Sequence, residues 1–183
     1  EVDIMTIVTA QARAGYGLQE GFEAESFLAV EDFNLRSANS GSGVLLRLVR
    51  AEWDLAAGYN EGATLEEDLD AMSGQPGFPS TQGILFDEIE SARELYRLDL
   101  VAMIRQNGEV NGNLVTLGLA GVPTDFQFLN PFYQGSSTNV RAGSLSLVGD
   151  LFAHEVGHNF GGKHDLATQL DNNAEYRASA LSA

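Results

Sequence analysis

The sequence predicts an α/β domain bordering on α+β. It comprises a five-stranded, mostly parallel sheet with one antiparallel edge strand, two long helices, and a third helix late in the 183-residue chain. Three observations carry that reading. Short apolar runs rich in β-branched residues alternate with helical stretches through the first half, which implies parallel pairing through crossover helices. The run LDLVAMIRQ (98–106) is apolar with little alternation, as in a strand covered on both faces. The segment GNLVTLGLAG (112–121) is strand-like but weakened by glycine, as at a sheet edge.

In chain order, DIMTIVT (3–9) reads as a buried strand. Phe22, Ala29, Val30 and Phe33 recur at i, i+7, i+8 and i+11, placing one apolar stripe on a helix between about residues 18 and 38. NSGSG (39–43) ends that helix, and VLLRLVRAEW (44–53) is the second strand. The acidic stretch NEGATLEEDLDAMSGQPGFPS (60–80) reads as a surface excursion with a short helix. Its carboxylates lack the order of a calcium-binding loop and are expected to be solvated. Leu85, Ile89, Ala92 and Tyr96 form the stripe of the second long helix, which runs straight into 98–106. Beyond the edge strand come a loop rich in Pro, Gly, Ser and Asn (122–144), a short strand SLSLV (144–148), and a final helix capped by Asp150. The order is β-α-β-α-β-β-β-α, with no internal repeat, and it leaves the strand order in the sheet open. Residues 1–165 are expected to form one unit, and 166–183 the incomplete start of another.

Hydrophobic content of 44% and aromatic content of 9% belong to a chain that folds around a core. No apolar run approaches the roughly 20 residues that span a bilayer, so membrane insertion is not expected. The opening EVDIMTIVTAQAR lacks a basic leader, so a signal peptide is either absent or removed. Ten basic against 26 acidic residues leave a net charge of −16, which argues against nucleic acid and anionic membranes as partners. Self-repulsion of that size favours solubility and is consistent with a secreted protein in salty surroundings, where salt screens it. With no cysteine there is neither a disulfide nor a thiolate ligand. Nothing bears on oligomeric state.

All three histidines fall in HEVGHNFGGKHD (154–165). His154 and His158 are four apart, so on a helix their imidazoles stand on one face, the spacing at which two nitrogens bind one zinc ion. Glu155 is offset around the helix, within reach of a zinc-bound water without being a ligand. That water has its pKa lowered towards 7, and a neighbouring carboxylate can take its proton. Phe152, Val156 and Phe160 form the opposite, apolar side. Gly161 suits the left-handed residue that stops a helix, after which Gly162 and Lys163 carry the chain around and His164 swings back as third ligand. Three imidazoles and a water make the open site of a catalytic zinc.

The extended pattern H-E-x-x-H-x-x-G-x-x-H-D is the metzincin signature. HEVGHNFGGKHD resembles in particular the adamalysin (reprolysin) branch and its bacterial relatives, in which an aspartate comes directly after the third histidine. VDIMTIVTAQAR is similar to that family's first strand, LGLAG (117–121) to its edge strand, and SLSLVGDLFAHEVGHN to its fifth strand and active-site helix. The resemblance implies a metzincin-like zincin fold and a secreted zinc metalloendopeptidase with one catalytic Zn2+, whose bound water Glu155 activates to hydrolyse peptide bonds. His154, His158 and His164 would ligate the metal, Gly161 would make the turn and Asp165 would anchor the segment after it. Leu117, Gly118, Leu119 and Ala120 would pair with a peptide or protein substrate, as an exposed edge can; the same stretch also fits an ordinary sheet edge.

Two features depart from the family. Its methionine turn lies after the third histidine, whereas the methionines here are Met5, Met72 and Met103. Disulfides, used by many adamalysins, are missing. The alternative reading is therefore a non-catalytic zinc-binding module or an inactive fragment lacking the methionine turn. A zinc hydrolase acting on other substrates is a third, which the edge strand disfavours. Tyr176 has an oxyanion-stabilising role or a packing one.

Overall fold

The computed structural model describes residues 1–73, 82–111, 114–120, 135–140 and 145–162. Its elements begin with strand β1 (Val2–Val8), helices α1 (Ala10–Tyr16) and α2 (Gln19–Ser40), and strand β2 (Leu46–Glu52). Helices α3 (Leu65–Ser73) and α4 (Gln82–Tyr96) lead to β3 (Leu100–Arg105) and a hairpin, β4 (Glu109–Asn111) with β5 (Leu114–Thr116). Strands β6 (Gly118–Ala120) and β7 (Gly135–Val140) and helix α5 (Leu145–Asn159) complete the series. The mixed α/β class expected from the sequence is the class observed.

The main sheet runs β2-β1-β3-β7-β6. The first four strands are parallel, and β6 lies antiparallel to β7 at the end, with Gly118 opposite Asn139 and Ala120 opposite Ser137. Side chains alternate across the central strands, so each face has its own core. Ile4, Leu46, Leu100 and Ala102 meet Ala29, Val30 and Phe33 of α2 and Phe152 and Val156 of α5. On the other face Met5, Ile7, Val101 and Met103 meet Ala71 and Met72 of α3 and Leu85, Ile89 and Ala92 of α4. Every residue of β3 is buried, the condition that its unbroken apolar run implies.

Five expectations need correction. Residues 145–148 of the expected strand 144–148 are helical: α5 begins at Leu145, and Leu145, Val148, Phe152 and Val156 repeat at helical spacing. Local alternation of Leu145 and Leu147 imitates a strand. Asp150 consequently lies within α5 rather than capping it, and pairs there with Arg36 of α2. The strand next to β3 is instead β7, GSSTNV, inside the expected loop; only its Thr and Val favour a sheet, and backbone pairing to β3 and β6 holds it. The expected strand 112–121 is divided among its described residues: 114–116 pair with β4, and 118–120 join the main sheet.

The acidic excursion is not wholly solvated either. Asp68 is 0% exposed, because Arg105, at the end of β3, meets its Oδ2 at 2.8 Å. Tyr59 Oη and the Gly62 N–H each donate to Asp68 Oδ1 at 2.6 Å. Glu61 accepts from Thr9 Oγ1, the Gln106 N–H and both the backbone and side chain of Asn107. These bonds fasten the excursion to the end of the sheet. Thr9 also caps α1, its Oγ1 accepting from the Ala12 N–H.

Candidate metal centre

Helix α5 is fixed from its apolar side. Phe152 and Val156 are fully buried, and the Phe160 ring lies 6.0 Å from that of Phe33. The opposite side carries the two histidines, with Nε2 of His154 and Nε2 of His158 3.1 Å apart. Nδ1 of His158 lies 2.6 Å from the Gly162 carbonyl oxygen. A carbonyl only accepts, so Nδ1 carries the hydrogen, and in the neutral ring Nε2 keeps its lone pair.

The end of the helix explains that contact. Gly161 takes φ +81°, and the Gly162 N–H reaches back to Gly157 O at 3.0 Å while the Gly161 N–H reaches His158 O at 2.9 Å. This is the paired closure of a Schellman motif. A Cβ at Gly162 would stand 2.8 Å from Gly157 O. One glycine is thus demanded by backbone conformation and the next by space, and together they aim the Gly162 carbonyl at His158.

Glu155 points inward from the same helix and is only 5% exposed. Burial pushes its carboxyl up to about 7; a cation at the histidines would draw it down again. Its neighbour is the end strand of the sheet, since a Cβ on Gly118 would lie 2.5 Å from Glu155 Oε1. Leu117, just before β6, is exposed, Gly118 and Leu119 are half-buried, and Ala120 is buried. The structure therefore brings His154, His158, Glu155 and β6 together, with Gly161 at the helix end. His164, Asp165 and Tyr176 lie outside the described residues. Sequence reasoning missed the Gly162 carbonyl, signalled only by the Gly-Gly pair, and the Gly118 contact, which has no local signal.

The two imidazoles suit a metal ion. Two nitrogens about 2.0–2.1 Å from one zinc in tetrahedral geometry stand roughly 3.3 Å apart, close to the separation seen. Among the described residues no group of three or more His, Cys, Asp or Glu side chains is arranged to hold a metal. None of their helices is long and apolar enough to cross a membrane.

A helix offering two convergent imidazoles above a buried carboxylate, on an α/β sheet, has the outline of a metal-dependent hydrolase. Residues 23–165 match the family described as Metallo-peptidase family M12B Reprolysin-like, and the chain belongs to that family. Membership implies a metal cofactor, typically zinc. The chain is 26% identical over 167 residues to a protein named Peptidyl-Asp metalloendopeptidase from Xanthomonas campestris pv. campestris. That match covers 91% of this chain but only 34% of the relative. The fold is similar, with a TM-score of 0.65 at 20% identity, to a solved structure described as "Structure of a chaperone-substrate complex". The overlap is 90% of this chain and 26% of that one, and it speaks of the fold alone.

Proposed function

We propose that this chain is a secreted zinc-dependent endopeptidase. The observation that carries the reading is the meeting of the His154 and His158 Nε2 atoms at 3.1 Å with Glu155 buried on the same helix. His154 and His158 would hold the ion, joined by His164 as the family pattern has it. When bound, zinc would supply Lewis-acid polarisation of a substrate carbonyl. Glu155 takes the proton of the attacking water and returns it to the leaving amine. Strand β6 receives an extended peptide along Leu117, Gly118, Leu119 and Ala120. Gly161 turns the chain and Asp165 anchors the segment after it. The name of the Xanthomonas relative motivates a preference for aspartate at the cleaved bond, and the acidic balance of the chain supports an extracellular setting.

In the test, Glu155→Gln keeps one zinc per chain, by metal analysis, while cleavage of an unstructured protein falls about 10²- to 10⁴-fold. Cleavage persisting in that variant removes Glu155 from the proton transfer. Peptides with and without aspartate, cleaved equally fast, reject the preference. A second reading, a zinc-binding module without turnover, is favoured by one observation: Met5, Met72 and Met103 are all buried on the sheet face away from α5. Zinc retained by a wild-type chain that shows no chelator-sensitive cleavage selects it.

A further inference from the structure

Glu155 is held in an unusual way for a buried carboxylate. Among the described residues no hydrogen bond or ion pair fixes its oxygens. What defines its place is packing against β6. A Cβ at Gly118 would stand 2.5 Å from Oε1, 2.6 Å from Cγ and 2.7 Å from Cδ of Glu155. Real Cβ atoms do not approach that closely. Gly118 lacks a positive φ, unlike Gly161, so alanine could adopt its backbone. The requirement for glycine here is one of space.

The kind of obstacle matters. At Gly162 an added Cβ would meet a backbone carbonyl that cannot move aside. At Gly118 it would meet Cγ, Cδ and Oε1 of a flexible side chain, which can swing away by turning about χ1. The fold can survive that swing; the position of the carboxylate cannot.

We propose that Gly118 is the positioning residue for Glu155, the gap it leaves in the end strand being the seat that sets the carboxyl beside the histidine face. The inference rests on the reading of Glu155 as proton acceptor. It gives Gly118 a role separate from any pairing of its backbone with substrate, because alanine keeps the same N–H and C=O.

Three measurements on Gly118→Ala test this. Its crystal structure, free of metal, is expected to show the Glu155 carboxyl rotated away from β6, with α5 and both histidines in place. In peptide cleavage, kcat is expected to fall about 100-fold, the cost of a misplacement of about 1 Å, while KM stays near wild-type because the strand's backbone groups remain. Alanine at 155 has no Cγ, Cδ or Oε1 and so clears the added Cβ. In a Glu155→Ala background, measured on its residual cleavage, Gly118→Ala is therefore expected to cost less than about tenfold further, which is coupling between residues in contact. A carboxyl found in its original place beside the new methyl group, or equal losses in both backgrounds, overturns the proposal. If the wild-type chain cleaves nothing, the crystal structure still decides whether Gly118 seats Glu155, and only the peptidase reading fails.

Discussion

Two carboxylates of this molecule are both buried and differently treated. Asp68, at the end of β3, is met by Arg105, Tyr59 and a backbone N–H, and Arg105 also donates to the Gly62 and Thr64 carbonyls. Glu155, against β6, has none of these among the described residues. Burying a charge is costly unless it is paired and hydrogen-bonded. At Asp68 these partners offset part of that cost, burial still raising its pKa; at Glu155 no such partner stands among the described residues. Perturbed and unpartnered groups of this kind gather at functional sites.

The contrast is most directly broken at Arg105. Arg105→Leu leaves Asp68 and Glu61 buried without their cation and is expected to lower the unfolding free energy by about 3–5 kcal/mol in urea denaturation. Glu155→Gln is expected not to lower it at all in the metal-free chain, because no partner is lost. Equal destabilisation by both substitutions would mean that Glu155 also has a structural partner.

A smaller effect is expected from Gly162→Ala. Its Cβ would strike Gly157 O, displacing the carbonyl that accepts from His158. Zinc affinity, measured by competition with a chelator, should weaken about 10- to 100-fold, the usual cost of losing a ligand's outer hydrogen bond. Unchanged affinity would show that the carbonyl does not orient the ring.

Asp70 sharpens the comparison at its weak end. It is 9% exposed, its Oδ2 has no hydrogen-bond partner among the described residues, and burial followed by the charge of Glu66 raises its pKa. A raised folded value favours the protonated form. Stability linked to Asp70 is thus complete at pH values below the ordinary carboxylate range and is lost as pH climbs through its folded value. Asp70→Asn should be slightly more stable than wild-type at neutral pH, an advantage that vanishes on acidification, tracked by thermal unfolding across pH. An advantage independent of pH would assign the effect to something other than this carboxyl.

What the sequence discloses depends on the range of the interactions involved. Helices α2 and α4 and strand β3 are legible because their apolar spacing is local. The His154–His158 pair is legible for the same reason, being one turn apart. Strand β7 is hidden, since GSSTNV carries almost no apolar signal and owes its place to neighbouring backbones. The burial of Asp68 is hidden because its cation, Arg105, stands far along the chain. Gly118 facing Glu155 is hidden in the same manner: spacing places a side chain on its own helix and says nothing of the strand lying across from it.

The closure of α5 by Gly161 and Gly162 has a thermodynamic consequence. Helix termini ordinarily fray, but here unwinding the last turn would also release the His158 ring from the hydrogen bond that sets its tautomer. Metal occupancy and helix closure are therefore linked by mass action. Zinc held at the proposed site would suppress the opening of that turn, and amides near residue 162 should exchange with solvent more slowly as the ion is titrated in.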